Sequence, residues 1–201
     1  MTVAADDDLS PETIVTFLAD IFERRGGEEY LGEPVTMAEH MLQAAYLAKR
    51  QGETEEVVVA ALLHDIGHFT SEFGMFSMGD TQDRYHEVAG AKVLERFFPS
   101  IVTDCVRYHV AAKRYLCATD QTYLRRLSEA SVHSLKLQGG PMTAEEVAAF
   151  EKRPHASEVV RVRHLDDAGK VAGMVTPDFA SYAPMVQRVV DRYCGRGCHS
   201  T

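Results

Sequence analysis

The sequence predicts an all-α fold, a helical bundle in a single domain, and three observations predict it. Apolar residues recur at the three- and four-residue spacing of helices along most of the chain, and no stretch of strand length alternates apolar with polar residues. Glycine, proline and capping residues mark the ends of most of these periodic stretches. The 201 residues, 45% of them apolar, are enough to bury a core and few enough for one domain. That domain is expected to span residues 1–201, with its core at about 28–193, a short acidic segment before it and a Cys/Gly tail after it.

The first helix follows Ser10 as N-cap, with Pro11 at the first helical position and Glu12 in the first turn, and stops at Gly26-Gly27. Thr13 stands where a capping box would have Glu or Gln, so the reciprocal half of that motif is expected to be missing. "EEYLGEPV", with Gly32 and Pro34, reads as a loop. A second helix from about Thr36 to Gln51 puts Met37, His40, Met41, Ala44, Leu47 and Ala48 on one face before Gly52. The third runs from Glu55 to about Ile66. The loop "TSEFGMFSMGDTQD" leads to a fourth near Tyr85 to Phe98, ended by Pro99. The fifth, Ile101 to about Tyr115, stacks Val102, Val106, His109 and Lys113 at turn spacing. "TDQTYLRRLSEASVHSLKLQGGPM" reads as one long helix closed by Gly139-Gly140-Pro141, and Thr143 to Glu146 is a capping box opening a short one. Helices from Ala156 to Lys170 and near Tyr182 to Tyr193 complete the bundle.

The charge balance excludes some functions. Thirty acidic against 21 basic residues, a net −9, oppose wrapping a polyphosphate backbone, so nucleic acid is not an expected partner. A small anion held by a few focused cations remains open. No window approaches eighteen uncharged apolar residues, and "MTVAADDDLS" is acidic, so neither a membrane nor a leader is expected and the chain reads as cytoplasmic. No protein partner is indicated. Cys105, Cys117, Cys194 and Cys198 make no disulfide framework and should stay reduced. "CGRGCH" offers half a metal site at most, and a frayed tail is the expected reading.

Chemistry concentrates in "AALLHDIGHF", where an apolar helix runs into His64, Asp65 and then His68. A ring nitrogen and a carboxylate suit iron, manganese or zinc, and a carboxylate's two oxygens can bridge two ions. Further candidates lie on other helices: His40, His86, His109, and Asp166 or Asp167. Taken alone, His40 is a core histidine bonded to a carbonyl and His86 a surface residue at a helix start; His133, His155, His164 and His199 keep such readings. Convergence changes the balance, because His40, His64 and His109 all sit within apolar faces, and buried polar groups need partners or a metal. His68, Lys113 and Arg163 each lie about one turn from a candidate ligand, giving three potential cations for a small dianion.

The ordered set His40, His64-Asp65 and Asp166 resembles the H…HD…D pattern of the HD-domain superfamily, of whose central motif "LLHDIGH" is a typical form. In that superfamily four such ligands hold a metal for phosphohydrolase chemistry on nucleotides; His86 and His109 between doublet and final Asp imply a second metal. With "YLGEPVTMAEHMLQAAYLA", "YHEVAGAKVL", "YHVAAKRYL", "ASVHSLKLQGGPM" and "RVRHLDDAGK", the chain resembles the mixed-valent di-iron oxygenases that cleave the carbon–phosphorus bond of 1-hydroxy-2-aminoethylphosphonates. The likeness covers most of Glu28 to Lys170.

That resemblance implies a single HD domain holding an Fe(II)/Fe(III) pair, with O₂ as co-substrate. His40, His64 and Asp166 would take one iron, His86 and His109 the other, and Asp65 would bridge. Spacing from Arg163 within the family favours Asp166 over Asp167. His68, Lys113, Ser131 and Arg163 would hold the phosphonate. Tyr30 would occupy the second iron until substrate arrives, and Glu33 would lie at the substrate's amine end. The implied substrate is the small molecule (R)-1-hydroxy-2-(trimethylammonio)ethylphosphonate, giving glycine betaine and phosphate. The alternatives are the amine, giving glycine, or a metal-dependent phosphohydrolase. Phe73, Phe76 and Tyr85 are candidates for cation–π contact with the ammonium group, against a packing role.

Overall fold

Thr36, Thr54, Ser128 and Thr143 each turn a hydroxyl toward the amide three residues on, and each opens a helix. Local chemistry of this kind sets the element order in the computed structural model, which describes residues 9–30, 32–70 and 85–197. Ten α-helices are described: α1 (Ile14–Arg25), α2 (Met37–Arg50), α3 (Glu55–Leu63), α4 (Gly67–Thr70), α5 (His86–Leu94), α6 (Ser100–Thr119), α7 (Glu129–Leu137), α8 (Ala144–Glu151), α9 (Ala156–Ala168) and α10 (Phe179–Gly197). There is no strand among the described residues, only an isolated antiparallel bridge between Glu29 and Thr36. The all-α expectation holds, and none of these helices is long and apolar enough to cross a membrane.

α3 is the axis. Every residue from Val57 to Leu63 is buried, because α2, α6, α9 and α10 all pack on it. α2 and α6 also pack on α9, α5 on α6, and α4 on α5. Each of these contacts brings a chemistry-bearing residue inward: His40 on α2, His64 at the end of α3, His86 on α5, His109 on α6 and Asp166 on α9. Gly169 ends α9 and accepts the His40 imidazole at its carbonyl, 2.9 Å away, which ties α9 to α2 at the level of the site.

Several boundaries differ from the sequence expectation, each for a local reason. α1 starts at Ile14 and not at Pro11: Thr13, not Ser10, is its N-cap, with no side-chain cap bond, and in the turn before it Thr13 Oγ1 accepts from the Ser10 amide at 2.9 Å. α3 stops at Leu63 rather than Ile66. The chain then tightens to three-residue bonding, Ile66 N–H to Leu63 O and His68 N–H to Asp65 O, both 3.0 Å. His64 and Asp65 therefore sit at a break in the helix. α5 ends at Leu94, while α6 runs on to Thr119. The expected long helix is divided: a 3₁₀ turn covers Leu124–Arg126, and α7 begins only after Ser128, whose hydroxyl caps the Ser131 amide. α10 reaches Gly197 and includes Cys194, so the tail up to there is helical and not frayed; Cys198 and His199 lie outside the described residues. Cys105, Cys117 and Cys194 form no disulfide.

Candidate metal centre

The loop between α1 and α2, the ends of α2, α3, α5 and α9 and the middle of α6 converge on Asp65, which is 2% exposed. Its oxygens face opposite ways. Oδ2 lies 3.4 Å from Nε2 of both His40 and His64. Oδ1 lies 3.3 Å from Nε2 of both His86 and His109. Within each pair the imidazoles meet edge to edge, His40 Nε2 to His64 Nε2 at 2.9 Å and His86 Nε2 to His109 Nε2 at 3.1 Å. Asp166 closes the first group, its Oδ1 3.5 Å from His40 Nε2 and 3.9 Å from His64 Nε2.

The tautomers follow from the other side of the rings. Nδ1 of His40, His64 and His109 faces the carbonyls of Gly169, Ala61 and Val106 at 2.9, 2.8 and 2.8 Å. A carbonyl only accepts, so each Nδ1 carries a hydrogen, and each ring when neutral turns a lone pair at Nε2 into the site. His40 and His64 thus bring two lone pairs together beside two carboxylate oxygens, Asp65 Oδ2 and Asp166 Oδ1, both buried without a hydrogen-bond partner. Such an arrangement repels itself unless a proton or a metal cation sits within it, and nitrogen with carboxylate oxygen is a donor set suited to a transition metal. The residues fit a metal. Their carbonyl-oriented imidazoles are what ligating histidines need to hold ring and tautomer.

Electrostatics agree. Burial pushes the His64 imidazole down, but the charges of Asp65 and Asp166 outweigh it and raise it to about 9, marking this as a point where positive charge is favoured. Burial would raise Asp65, yet His64 and the other imidazoles facing it hold it well below the usual carboxylate range. His109 is lowered, by burial and by other imidazoles, and so stays a neutral donor.

The sequence profile of the HD domain matches residues 37–148, more than half of the chain, including five of the residues just described. The chain belongs to the HD-domain family. A protein of Leisingera caerulea named [1-hydroxy-2-(trimethylamino)ethyl]phosphonate dioxygenase (glycine-betaine-forming) is 70% identical over 187 residues, 93% of this chain and 95% of its own length. Hydroxymethylphosphonate dioxygenase of Gimesia maris is 42% identical over 183 residues, 90% of both chains. An uncharacterized protein of Acanthamoeba polyphaga mimivirus is 36% identical over 159 residues, 78% of this chain and 73% of its own.

Around this HD centre several of the remaining candidates are close by. His86, a surface residue if taken alone but a ligand by the resemblance, is buried, because α5 packs on α6. His68 stacks on His86 at 4.0 Å, with Nε2 3.9 Å from Asp65 Oδ1; it is near enough to join Asp65 and His86 around an ion, though His109 lies nearer. The expected ring of three cations needs correction. Burial and the facing His86 hold His68 well below its ordinary value, so it is a neutral ring. Arg163 stays charged but is committed: Nη1 pairs with Asp166 Oδ2 at 2.7 Å, and the guanidinium also pairs with Asp167. Burial and the charge of Arg163 bring Lys113 down to about 7, where it donates to Ser134 at 2.7 Å.

The two aspartates separate cleanly. Asp166 turns into the site with one oxygen held by Arg163, whereas Asp167 binds Arg163 and the Tyr123 hydroxyl on the far side. The Tyr30 ring stacks on His40 at 4.2 Å, and burial with the charges of Asp65 and Asp166 raises its phenol well above the ordinary value, so it stays protonated. Glu33 accepts from Ser128 at 2.5 Å and pairs with Lys170 at 3.2 Å. Lys170 was given no role from sequence, although it lies in the quoted "RVRHLDDAGK"; one turn beyond Asp166, it is the cation the expected ring lacked. Phe73 and Phe76 lie outside the described residues, and Tyr85 is 60% exposed in a left-handed conformation at the start of α5.

Proposed function

We propose that this HD protein, one domain over residues 1–201, is a cytoplasmic di-iron oxygenase. With O₂ it would cleave the carbon–phosphorus bond of (R)-1-hydroxy-2-(trimethylammonio)ethylphosphonate to glycine betaine and phosphate. The observation that carries this reading is Asp65, with one oxygen turned to each of two imidazole pairs; the 70% identity to a dioxygenase named for that substrate supports it. His40, His64 and Asp166 would hold one iron and His86 and His109 the other, with Asp65 shared. Bound there, the two irons would supply Lewis acidity and the one-electron chemistry with O₂ that breaking an unactivated carbon–phosphorus bond requires.

The protein's own groups position the substrate. Arg163, Lys113, Ser131 and neutral His68 form the phosphonate end, with charge from the first two and hydrogen bonds from the others. Glu33 offers countercharge to the ammonium end. Tyr30, protonated and stacked on His40, covers the approach to Asp65 and must withdraw for substrate to enter, so binding and exposure of the metal pair are coupled. In balance, C1 loses its hydrogen and its bond to phosphorus. One atom of O₂ ends on C1 and the other on phosphorus, making O₂ the four-electron oxidant.

The iron-loaded protein is expected to release phosphate from the trimethylammonium compound in air and to consume O₂ as it does, faster than from the amine. Equal release without oxygen would leave a phosphohydrolase in its place.

Lys113 adds a pH signature. Above about 7 its amine is largely neutral in the free protein, and a phosphonate dianion holds the charged form, so binding at pH 8 is expected to take up a proton. Binding calorimetry in buffers of different ionisation enthalpy should show that uptake, and Lys113→Met should lose it. Equal uptake by both proteins would contradict the assignment.

A further inference from the structure

Lys170 spans the two groups to which the proposed function gives opposite ends of the substrate. Its Nζ lies 3.2 Å from Ser131 Oγ, at the phosphonate end, and 3.2 Å from Glu33 Oε1, at the ammonium end. It is also 3.9 Å from Asp166 Oδ1 and 5.6 Å from the centre of the Tyr30 ring. The Glu33 side chain is 7% exposed and that of Lys170 12%, so this is a nearly dry ion pair, whose partners cannot be separated without replacement charges. Glu33 is therefore already neutralised before any ammonium group arrives.

Resting on that functional reading, we infer that Lys170 is a specificity-determining residue working by exchange: the substrate's ammonium takes over Glu33 while Lys170 transfers to the phosphonate. The charges favour it. A zwitterionic substrate breaks one ion pair and makes two, one at each end. A quaternary ammonium has no N–H to donate, so it competes for Glu33 by charge alone, and Ser131 keeps Lys170 at the phosphonate end while the exchange occurs. A phosphonate without a cation offers Glu33 nothing, and Lys170 stays where it is. Because the Glu33 segment also carries Tyr30, the exchange loosens the cover over Asp65 only for a substrate with both charges. Lys170 thus makes the cation on the substrate a condition for full phosphonate binding.

The test is anaerobic calorimetry on the metal-loaded protein with two probes, the trimethylammonium hydroxyphosphonate and hydroxymethylphosphonate. By the same count Lys170→Met spares the pair that is broken and loses one of the two that are made, so it is expected to change the first by less than about tenfold. It should leave the second within about twofold, and Lys170→Arg should retain most of the affinity for the first. Glu33→Gln is expected to tighten the second by about ten- to hundredfold, because it releases Lys170, and to change the first far less; that gain should vanish in Glu33→Gln/Lys170→Met. Weakening of both probes by Lys170→Met beyond these limits, or a Glu33→Gln gain that persists without Lys170, would overturn the exchange alone. Failure of the wild-type protein to bind either probe would overturn the functional reading and the exchange with it. The Glu33→Gln arm stands even if Lys170→Met does not fold.

Discussion

Asp65→Asn is expected to leave at most one metal ion per chain where the wild-type protein is expected to hold two, and to lower phosphate release by about a thousandfold or more. Asparagine keeps the size of the side chain but removes its charge and one of its two acceptor oxygens. In the wild-type site those oxygens stand 3.4 Å from one imidazole pair and 3.3 Å from the other. Whichever way the amide is turned, its NH₂ faces two Nε2 atoms, and one of the two ion positions loses its shared carboxylate. Metal analysis beside a phosphate assay checks this, with helix content by circular dichroism as the control for folding. Two ions per chain and near-normal turnover in the variant would remove Asp65 from the centre of the account.

Gly67→Ala is the second large effect, and it acts through packing. A Cβ at Gly67 would lie 1.8 Å from the His86 carbonyl oxygen and 2.7 Å from the Gly90 amide nitrogen. Both are backbone atoms, so no rotamer change relieves the overlap, and α4 must separate from α5. Stability should fall by about 3 kcal/mol or more, and His86, whose carbonyl is pushed, should lose its place facing Asp65. Denaturant melts measure the first consequence and metal content the second. Gly27→Ala is the control: nothing lies within 4 Å of the added carbon, and its stability should change by less than about 0.5 kcal/mol. A Gly67→Ala protein as stable as that control would contradict the close packing of the two helices.

How much of this was legible in the sequence depended on whether a residue's signal was local. His40, His64 and His109 were readable because each interrupts an apolar helical face, and such faces meet in a bundle. Asp166 and Asp167 could not be separated by periodicity alone; the structure separates them through Arg163, which holds one oxygen of Asp166 and turns Asp167 toward Tyr123. The break after Leu63 was hidden because it comes from α4 packing on α5, not from a helix-breaking residue at the break. The break before α7 was visible in Ser128, a capping residue followed by Glu129, but the apolar spacing on either side masked it. Lys170 was the least legible. A lysine near a helix end reads as a solvated charge, and its partner Glu33 belongs to a loop at the other end of the sequence.

The most direct test of oxidative carbon–phosphorus cleavage is turnover of the trimethylammonium hydroxyphosphonate by the iron-loaded protein under ¹⁸O₂, with both products weighed. The account predicts one labelled oxygen in glycine betaine and one in phosphate. Phosphate labelled only from water, or formed at the same rate without O₂, would contradict it.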